Sequence, residues 1–146
     1  MNREIKFRGK TIKNDEWIYG DLKHNETYSI CYDKNDVYFE VDDKTVGQFT
    51  GLLDINCKEI YEGDIVSCIF FHYYTGSEVE QQLKGIIEWF QGGFVIKVIE
   101  NDFENAGQYS ISDLYIDTMM QVEVLGNVFD NPEQIIFDDE NEENAN

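Results

Sequence analysis

The chain has 146 residues and a formal net charge of −19, from 30 acidic and 11 basic residues. This charge repels a nucleic-acid backbone, so direct binding to DNA or RNA is not expected, and such acidity is most often a solubility feature. The composition is 42% hydrophobic and 14% aromatic, which supports one compact core and excludes general disorder.

The cysteines and the chain start indicate the compartment. Cys31, Cys57 and Cys68 lack the CxxC spacing of a zinc or redox site. The amino terminus has no apolar stretch typical of a signal peptide, and no apolar run approaches the roughly 20 residues that cross a bilayer. We therefore expect a cytoplasmic protein with reduced thiols and no membrane association.

The first fifty residues predict a meander of hairpins. Ile5 and Phe7 alternate with Lys6 and Arg8, which is typical of a half-buried strand with solvated basic residues on its outer face. A turn at residues 13–15 precedes an aromatic strand, and two more β-rich runs follow. We expect residues 1–50 to form a β-rich arm or subdomain whose basic end could attract the acidic carboxyl end, within or between molecules.

Residues 51–66 join this arm to the rest of the chain. Ile60 and Tyr61 fit a strand, and Glu62, Gly63 and Asp64 form a turn into the next apolar run. This pattern predicts the start of a small antiparallel barrel of about five strands drawn from residues 60–129.

The clearest hairpin lies at residues 85–99, where two apolar strands flank a glycine-bearing loop of about three residues, 91–93. Alternation places Ile87 and Trp89 on one face and Phe90 on the other. We expect Trp89 to point into the core. If Trp89→Ala leaves stability unchanged while Phe90→Ala does not fold, the inner face is the opposite one. If Trp89→Ala folds normally but loses its partner, Trp89 belongs to a binding surface.

The carboxyl-terminal part contains a strand, a helix start and a tail. Residues 109–120 fit both helical and strand spacing, with a slight preference for a short helix or turn, and the strand after them has a bulge at Gly126. Asn131 and Pro132 fit the N-cap and first position of a short helix. We expect residues 51–137 to form the barrel with this helix, and residues 138–146 to form a disordered acidic tail.

No pattern of catalytic residues stands out. The chain lacks nucleophile-elbow, phosphate-loop, dinucleotide and metalloprotease motifs, and His24 and His72 have no partner at ligand spacing. We therefore predict no catalytic, cofactor-binding or metal-binding residues and no enzymatic activity. Tyr61, Asp64 and Trp89 are the residues that we expect to take part in binding, and Asp64 is the first choice if the protein were an enzyme.

Five segments, in order along the chain, resemble the YopX family of phage and prophage proteins of low-GC Gram-positive bacteria. They read REIKFRGK, EWIYG, VGQFTGL, KEIYEGDIV and EVLGNVFDNPE. The resemblance implies a mainly β fold with an SH3-type barrel in its carboxyl-terminal part, a phage origin, and no established activity. The family pattern favours glycine at the turn position of Cys57, where glycine easily reaches a positive φ, so we expect a cysteine there to be mildly strained or to change the turn type.

These observations favour a phage- or prophage-encoded accessory protein that binds a protein partner, or itself, without catalysis. One alternative is an acidic nucleic-acid mimic that inhibits a basic host or phage protein. Another is a small-ligand enzyme. The salt dependence of partner capture distinguishes the binding protein from the mimic, because exposed charge pairs are screened within a Debye length of about 10 Å at 0.1 M.

Overall fold

The computed structural model describes residues 4–32, 36–74, 76–101, 108–110 and 121–135. Within these ranges the secondary structure is mainly β, which confirms the predicted fold class, and its strands form two antiparallel sheets. The chain divides into two compact units, and each unit is built from two separate segments of the sequence. The first comprises Met1–Leu53 and Glu59–Glu62, and the second comprises Asp54–Lys58 and Gly63–Asn146.

The first unit holds a sheet of six strands in the order β4-β3-β2-β1-β5-β6. A 3₁₀ turn, Asp43–Thr45, separates β4 from β5. The strands are β1 (Phe7–Lys10), β2 (Trp17–His24), β3 (Tyr28–Cys31), β4 (Tyr38–Val41), β5 (Gly47–Leu53) and β6 (Glu59–Tyr61).

Alternation along β1 sorts the first unit into two faces. Phe7 and Gly9 share one face, and a Cβ atom on Gly9 would lie only 3.0 Å from the Cβ atom of Val41, so a side chain at Gly9 would require Val41 to shift by a few tenths of an ångström. Ile30 and Val41 are buried in this unit. Arg8 and Lys10 share the other face with their β2 partners Tyr19 and Trp17.

The second unit holds five strands in the order β10-β9-β8-β7-β11, within the region predicted for about five strands. Cross-strand register places one apolar layer on a single face. The layer is buried and contains Val66, Cys68, Leu83, Ile87, Ile96, Val98 and Val122. The strands are β7 (Asp64–Tyr74), β8 (Ser77–Phe90), β9 (Gly93–Asn101), β10 (Gln108–Ser110) and β11 (Gln121–Asn127).

Closure of this sheet into an SH3-type barrel stays a prediction. Across the described residues, β10 and β11 are the two end strands and do not pair with each other. β6 pairs with β5 in the first unit, so the chain passes from one sheet to the other between Tyr61 and Asp64. The predicted strand and turn at these residues are confirmed.

The prediction that Trp89 points into the core is wrong. Ile87 is 1% exposed and Trp89 is 55% exposed, although both lie on the same face of β8. Trp89 pairs with Phe94 in the last position but one before the turn, beyond the buried pair of Ile87 and Ile96. The face was predicted correctly, but on that face the buried layer ends at the Ile87–Ile96 pair, one pair before Trp89 and Phe94.

Within the described residues the predicted bulge and helix start are confirmed, whereas the predicted N-cap role of the Asn131 side chain is wrong. The register of β11 against β7 shifts between Val124 and Gly126, as expected for a bulge. Residues 133–135 are helical, and the N–H of Gln134 donates to the carbonyl of Asn131. The Asn131 side chain accepts from the N–H of Asn127 instead of capping the helix. Residues 111–120 and the predicted tail lie outside the described ranges.

Candidate functional site

Among the side chains that the structure describes in the second unit, those at the turn of the β8–β9 hairpin form an exposed aromatic surface. We call residues 89–94 the hairpin tip. Its turn has only two residues, Gln91 and Gly92, with φ of 48° and 86°, while Gly93 belongs to β9. Two consecutive residues with positive φ match the strand twist in a two-residue hairpin loop, so the predicted three-residue loop is one residue too long.

Aromatic side chains occupy both faces of the hairpin tip. Trp89 and Phe94 meet edge to face, with ring centroids 5.0 Å apart and an interplanar angle of 79°. This arrangement stabilises a pair by about 0.5–1.5 kcal/mol beyond its buried area and favours this orientation of the Trp89 ring. Phe90, on the opposite face, is 44% exposed and lies across from Gly93, which contributes no side chain. The tip therefore presents a fixed and exposed aromatic surface.

Tyr61 lies in the first unit. Its ring belongs to a layer of basic and aromatic side chains that includes Arg8, Lys10 and Trp17, which we call the cation–aromatic layer. The guanidinium carbon of Arg8 is 4.6 Å from the Trp17 ring centroid and 4.9 Å from that of Tyr61. Nη2 of Arg8 donates to the carbonyl of Glu62 at 3.4 Å. Arg8 is only 5% exposed, so the prediction of a solvated basic side chain is wrong at this position. The alternation was correct, but rings from β2 and β6 cover the charge.

The Tyr61 ring is buried and also contacts Phe49 and Tyr19. Burial and the neighbouring carboxylate of Glu59 raise the pKa of the Tyr61 hydroxyl above its ordinary value, and Arg8 opposes this shift. The hydroxyl donates to Oε1 of Glu59 at 3.3 Å. Tyr61 therefore remains a neutral donor in the interior of its unit, with almost no surface that a partner could touch.

Asp64 is the first residue of β7 and is also buried. Its neighbour Gly63 donates its N–H to the carbonyl of Ile87 at 2.8 Å and accepts from the N–H of Val128 at 2.9 Å. These bonds attach the turn before β7 to both β8 and the end of β11. Of the three residues predicted to bind, Asp64 and Trp89 share a unit, Tyr61 lies in the other, and Trp89 alone has substantial exposure.

Asp54 is a site residue that sequence reasoning missed. Its Oδ1 accepts from the N–H groups of Asn56 and Lys58 at 2.9 and 2.8 Å, and its Oδ2 accepts from the N–H of Val124 at 2.9 Å. An aspartate two residues before an asparagine in a turn is a known signal for the first bond. No local pattern indicates the bond to Val124, which joins the turn to β11.

Comparison with known families identifies the chain. A family model described as YopX protein matches residues 2–135. The chain belongs to the YopX family. No curated protein matches it.

In this YopX chain, Cys57 has φ of 63° in the turn that Asp54 holds. The left-handed conformation that the family pattern implied at this position is therefore present, with a cysteine in place of glycine. The Cys57 side chain is exposed, whereas Cys31 and Cys68 are buried. Burial raises the pKa of the Cys68 thiol to about 11, so Cys68 stays protonated near neutral pH.

The YopX chain also has an acidic cavity of about 630 Å³ in its first unit. We call this cavity the acidic groove. His24 and Tyr28 stack in its wall with ring centroids 4.1 Å apart. Its acidic lining residues are Asp15, Glu26, Glu40, Asp42 and Asp43. Lys10 lies 3.8 Å from Asp15, and the part of the chain that the structure describes contains no cluster arranged to hold a metal ion.

A smaller cavity of about 310 Å³ lies in the second unit. It is lined in part by Ser67, Ile69, Lys84 and Glu100. None of the helical segments within the described ranges has the length and apolarity that a membrane-spanning helix requires.

Proposed function

We propose that this chain is a non-catalytic protein-binding module, encoded by a phage or prophage and active in the cytoplasm of a bacterial host. The observation that supports this proposal best is the 55% exposure of Trp89 at the hairpin tip. Tryptophan is enriched among the residues that dominate protein interfaces. A large aromatic ring held at a rigid turn is well suited to enter a pocket on a partner.

The expected gain on binding is substantial for so small a surface. Covering the exposed part of a tryptophan ring removes on the order of 100 Å² of apolar surface, worth about 2.5 kcal/mol at 25 cal/mol per Å². The two-residue turn and the contact with Phe94 already restrict the Trp89 ring, so little further side-chain ordering is required. Phe90 extends the contact on the other face.

A different protein is a better partner for the tip than a second copy. Each copy has a formal net charge of −19, so self-association brings two strongly like-charged molecules together. We also propose that the second unit closes into an SH3-type barrel, in which the β8–β9 turn would project from one end. The predicted activity includes no catalytic step.

The acidic mimic is the second candidate, and the cation–aromatic layer favours it. The side chains of Lys6 and Lys10 are 22 and 15% exposed, and Arg8 is buried. Three of the 11 basic residues are therefore largely withdrawn from solvent. The buried carboxylates of Asp54 and Asp64 offset part of this effect, so the exposed surface keeps the strongly acidic balance that a mimic of a nucleic-acid backbone requires.

Capture from a host lysate at low and high salt separates the two candidates. The immobilised chain is compared with Trp89→Ala and with Leu125→Ala, which removes an exposed apolar side chain from β11 of the same unit. A partner that is retained at high salt, and lost with Trp89→Ala but not with Leu125→Ala, supports the binding module. A partner that is lost at high salt but is still captured by Trp89→Ala supports the mimic.

A further inference from the structure

Three consecutive apolar residues lie exposed at one end of the six-strand sheet. Val37, Tyr38 and Phe39 are 55, 37 and 47% exposed, and the last two belong to the end strand β4. Exposed sheet edges pair readily with other extended chains, and proteins commonly protect them with charged residues, proline or a covering segment. These three positions hold no charge and no proline. We call residues 37–39 the β4 edge.

Hydrogen bonds show which way the backbone of β4 points. On its outer side, the carbonyl of Glu40 accepts from the N–H of Ile12 at 3.1 Å, and Thr11 bridges to Val41. Alternate residues of a strand direct their backbone groups the same way, so the N–H and C=O of Tyr38 also point outward. Among the described residues, no strand pairs with Tyr38 on that side. Tyr38 therefore offers one donor and one acceptor to an added strand.

The surroundings of the β4 edge are acidic. Desolvation raises the pKa of the Tyr38 hydroxyl, and the negative charges of Asp36 and Asp21 raise it further. The ammonium group of Lys23 lies 5.2 Å from the Tyr38 ring centroid. The acidic groove begins at the other end of β4, where Glu40 lines it. Glu40 lies two positions along the strand from Tyr38, a distance of about 7 Å.

We propose that the β4 edge binds a short extended segment of a partner protein in which apolar residues alternate with lysine or arginine. The segment pairs with the backbone of Tyr38, packs apolar side chains on Val37 and Phe39, and places a basic side chain in the acidic groove. This is strand addition, in which backbone bonds give affinity and side chains give specificity. This proposal rests on the proposed function, because the occupant is again a protein. The β4 edge lies in the first unit, however, whereas the hairpin tip lies in the second.

Charge decides between a partner and a second copy at this edge. Pairing β4 with another β4 would bring Asp36 and Glu40 of each copy close to the same residues of the other, and like charges opposed across strands are destabilising. A basic segment meets the same carboxylates favourably. Glu26, Asp42 and Asp43 have no ion pair in the described part of the chain, so their charges are available to it.

Fluorescence anisotropy with three labelled peptides tests the proposal without altering the protein. The probe is a six-residue peptide that alternates lysine and valine. The second peptide replaces each lysine by glutamate, and the third keeps the basic sequence but carries N-methyl groups on alternate backbone amides. We expect the first to bind and the other two to bind at least tenfold more weakly. Equal binding by the basic and N-methylated peptides would overturn strand addition, and equal binding by the acidic peptide would overturn the charge argument.

Protein variants locate the binding site. Tyr38→Pro removes the outward N–H and leaves the bonds to β3, whereas Tyr38→Ala keeps the N–H, so we expect at least a tenfold loss only in the proline variant. The double change Asp42→Asn with Asp43→Asn should weaken binding severalfold, and Trp89→Ala should leave it unchanged. A concentration-dependent dimer that Tyr38→Pro abolishes would assign the edge to a second copy and overturn the proposal. Absence of peptide binding, with partner capture through Trp89 intact, would refute this inference and leave the proposed function standing.

Discussion

The carboxylate of Asp54 accepts a hydrogen bond from the backbone N–H of Val124, 70 residues further along the chain, at 2.9 Å. The next residue extends the same connection, since the N–H of Ile55 donates to the carbonyl of Val122 at 2.9 Å. A five-residue turn thus attaches to the outer side of β11. This turn gives an end strand of the second sheet part of the cover that exposed edges require.

Asp54→Asn should destabilise the protein by about 1–3 kcal/mol, because one of the three N–H donors loses its acceptor in a buried position. Glu80→Gln, which changes an exposed acid on β8, should alter stability by less than about 0.5 kcal/mol. Urea denaturation of both variants and the parent measures the difference. Equal midpoints for Asp54→Asn and the parent would show that the turn is held by other contacts.

The same carboxylate predicts a pH dependence. Burial acts to raise the pKa of Asp54, but the N–H bonds from Val124, Lys58 and Asn56 and the charge of Lys58 outweigh it, so the pKa lies below its ordinary value of 3.8. A lowered folded-state pKa contributes stability above pH 3.8 that is lost as the pH falls through the folded-state value. The stability gap between the parent and Asp54→Asn should therefore be constant from pH 7 to 5 and shrink below pH 4. A gap that widens in acid would contradict the assignment.

Arg8→Lys should destabilise the first unit by about 1–2 kcal/mol although it keeps the charge. The planar guanidinium stacks near Trp17 and Tyr61, and an ammonium group cannot reproduce that contact or reach the Glu62 carbonyl in the same way. Lys97→Arg on the exposed side of β9 is the control and should be neutral. Thermal melts of the two variants test this prediction. An unchanged melting temperature in Arg8→Lys would show that the positive charge alone, and not the planar guanidinium, stabilises the unit.

Ile87 and Trp89 share a face of β8 but should respond very differently to truncation. Ile87→Ala removes a fully buried side chain and should cost about 2–5 kcal/mol, whereas Trp89→Ala, which removes a half-exposed ring, should cost about 1–2 kcal/mol. Denaturant midpoints of the two variants measured side by side test this order. A larger loss in Trp89→Ala would place its ring in the core and remove it from the proposed binding surface.

Local patterns predicted the strands, the turn at Gly63 and the bulge at Gly126, because these depend on alternation and on backbone conformation within a few residues. Alternation also assigned Arg8 and Trp89 to the correct faces. Whether a face is covered depends on strands that are distant in sequence, such as β6 over Arg8. For the same reason the bond from Asp54 to Val124 has no signature in either segment.

Cys57→Gly should stabilise the chain by about 0.5–1 kcal/mol relative to Cys57→Ala. Cys57 has φ of 63°, where a side chain costs roughly 1 kcal/mol or more and glycine costs none, although glycine also loses more entropy on folding. Alanine retains the strain and serves as the matched control. Equal urea midpoints for the glycine and alanine variants would show that the turn carries no strain.

The central claim, that Trp89 contacts a partner, is tested most directly by ¹⁹F NMR of the chain labelled with 5-fluorotryptophan. The protein contains two tryptophans, so two resonances are expected, and Trp89→Phe assigns them. When the partner isolated by capture is added, the account predicts that the Trp89 resonance shifts or broadens while that of Trp17, stacked on Arg8, stays in place. An unchanged Trp89 resonance at saturating partner would contradict the account.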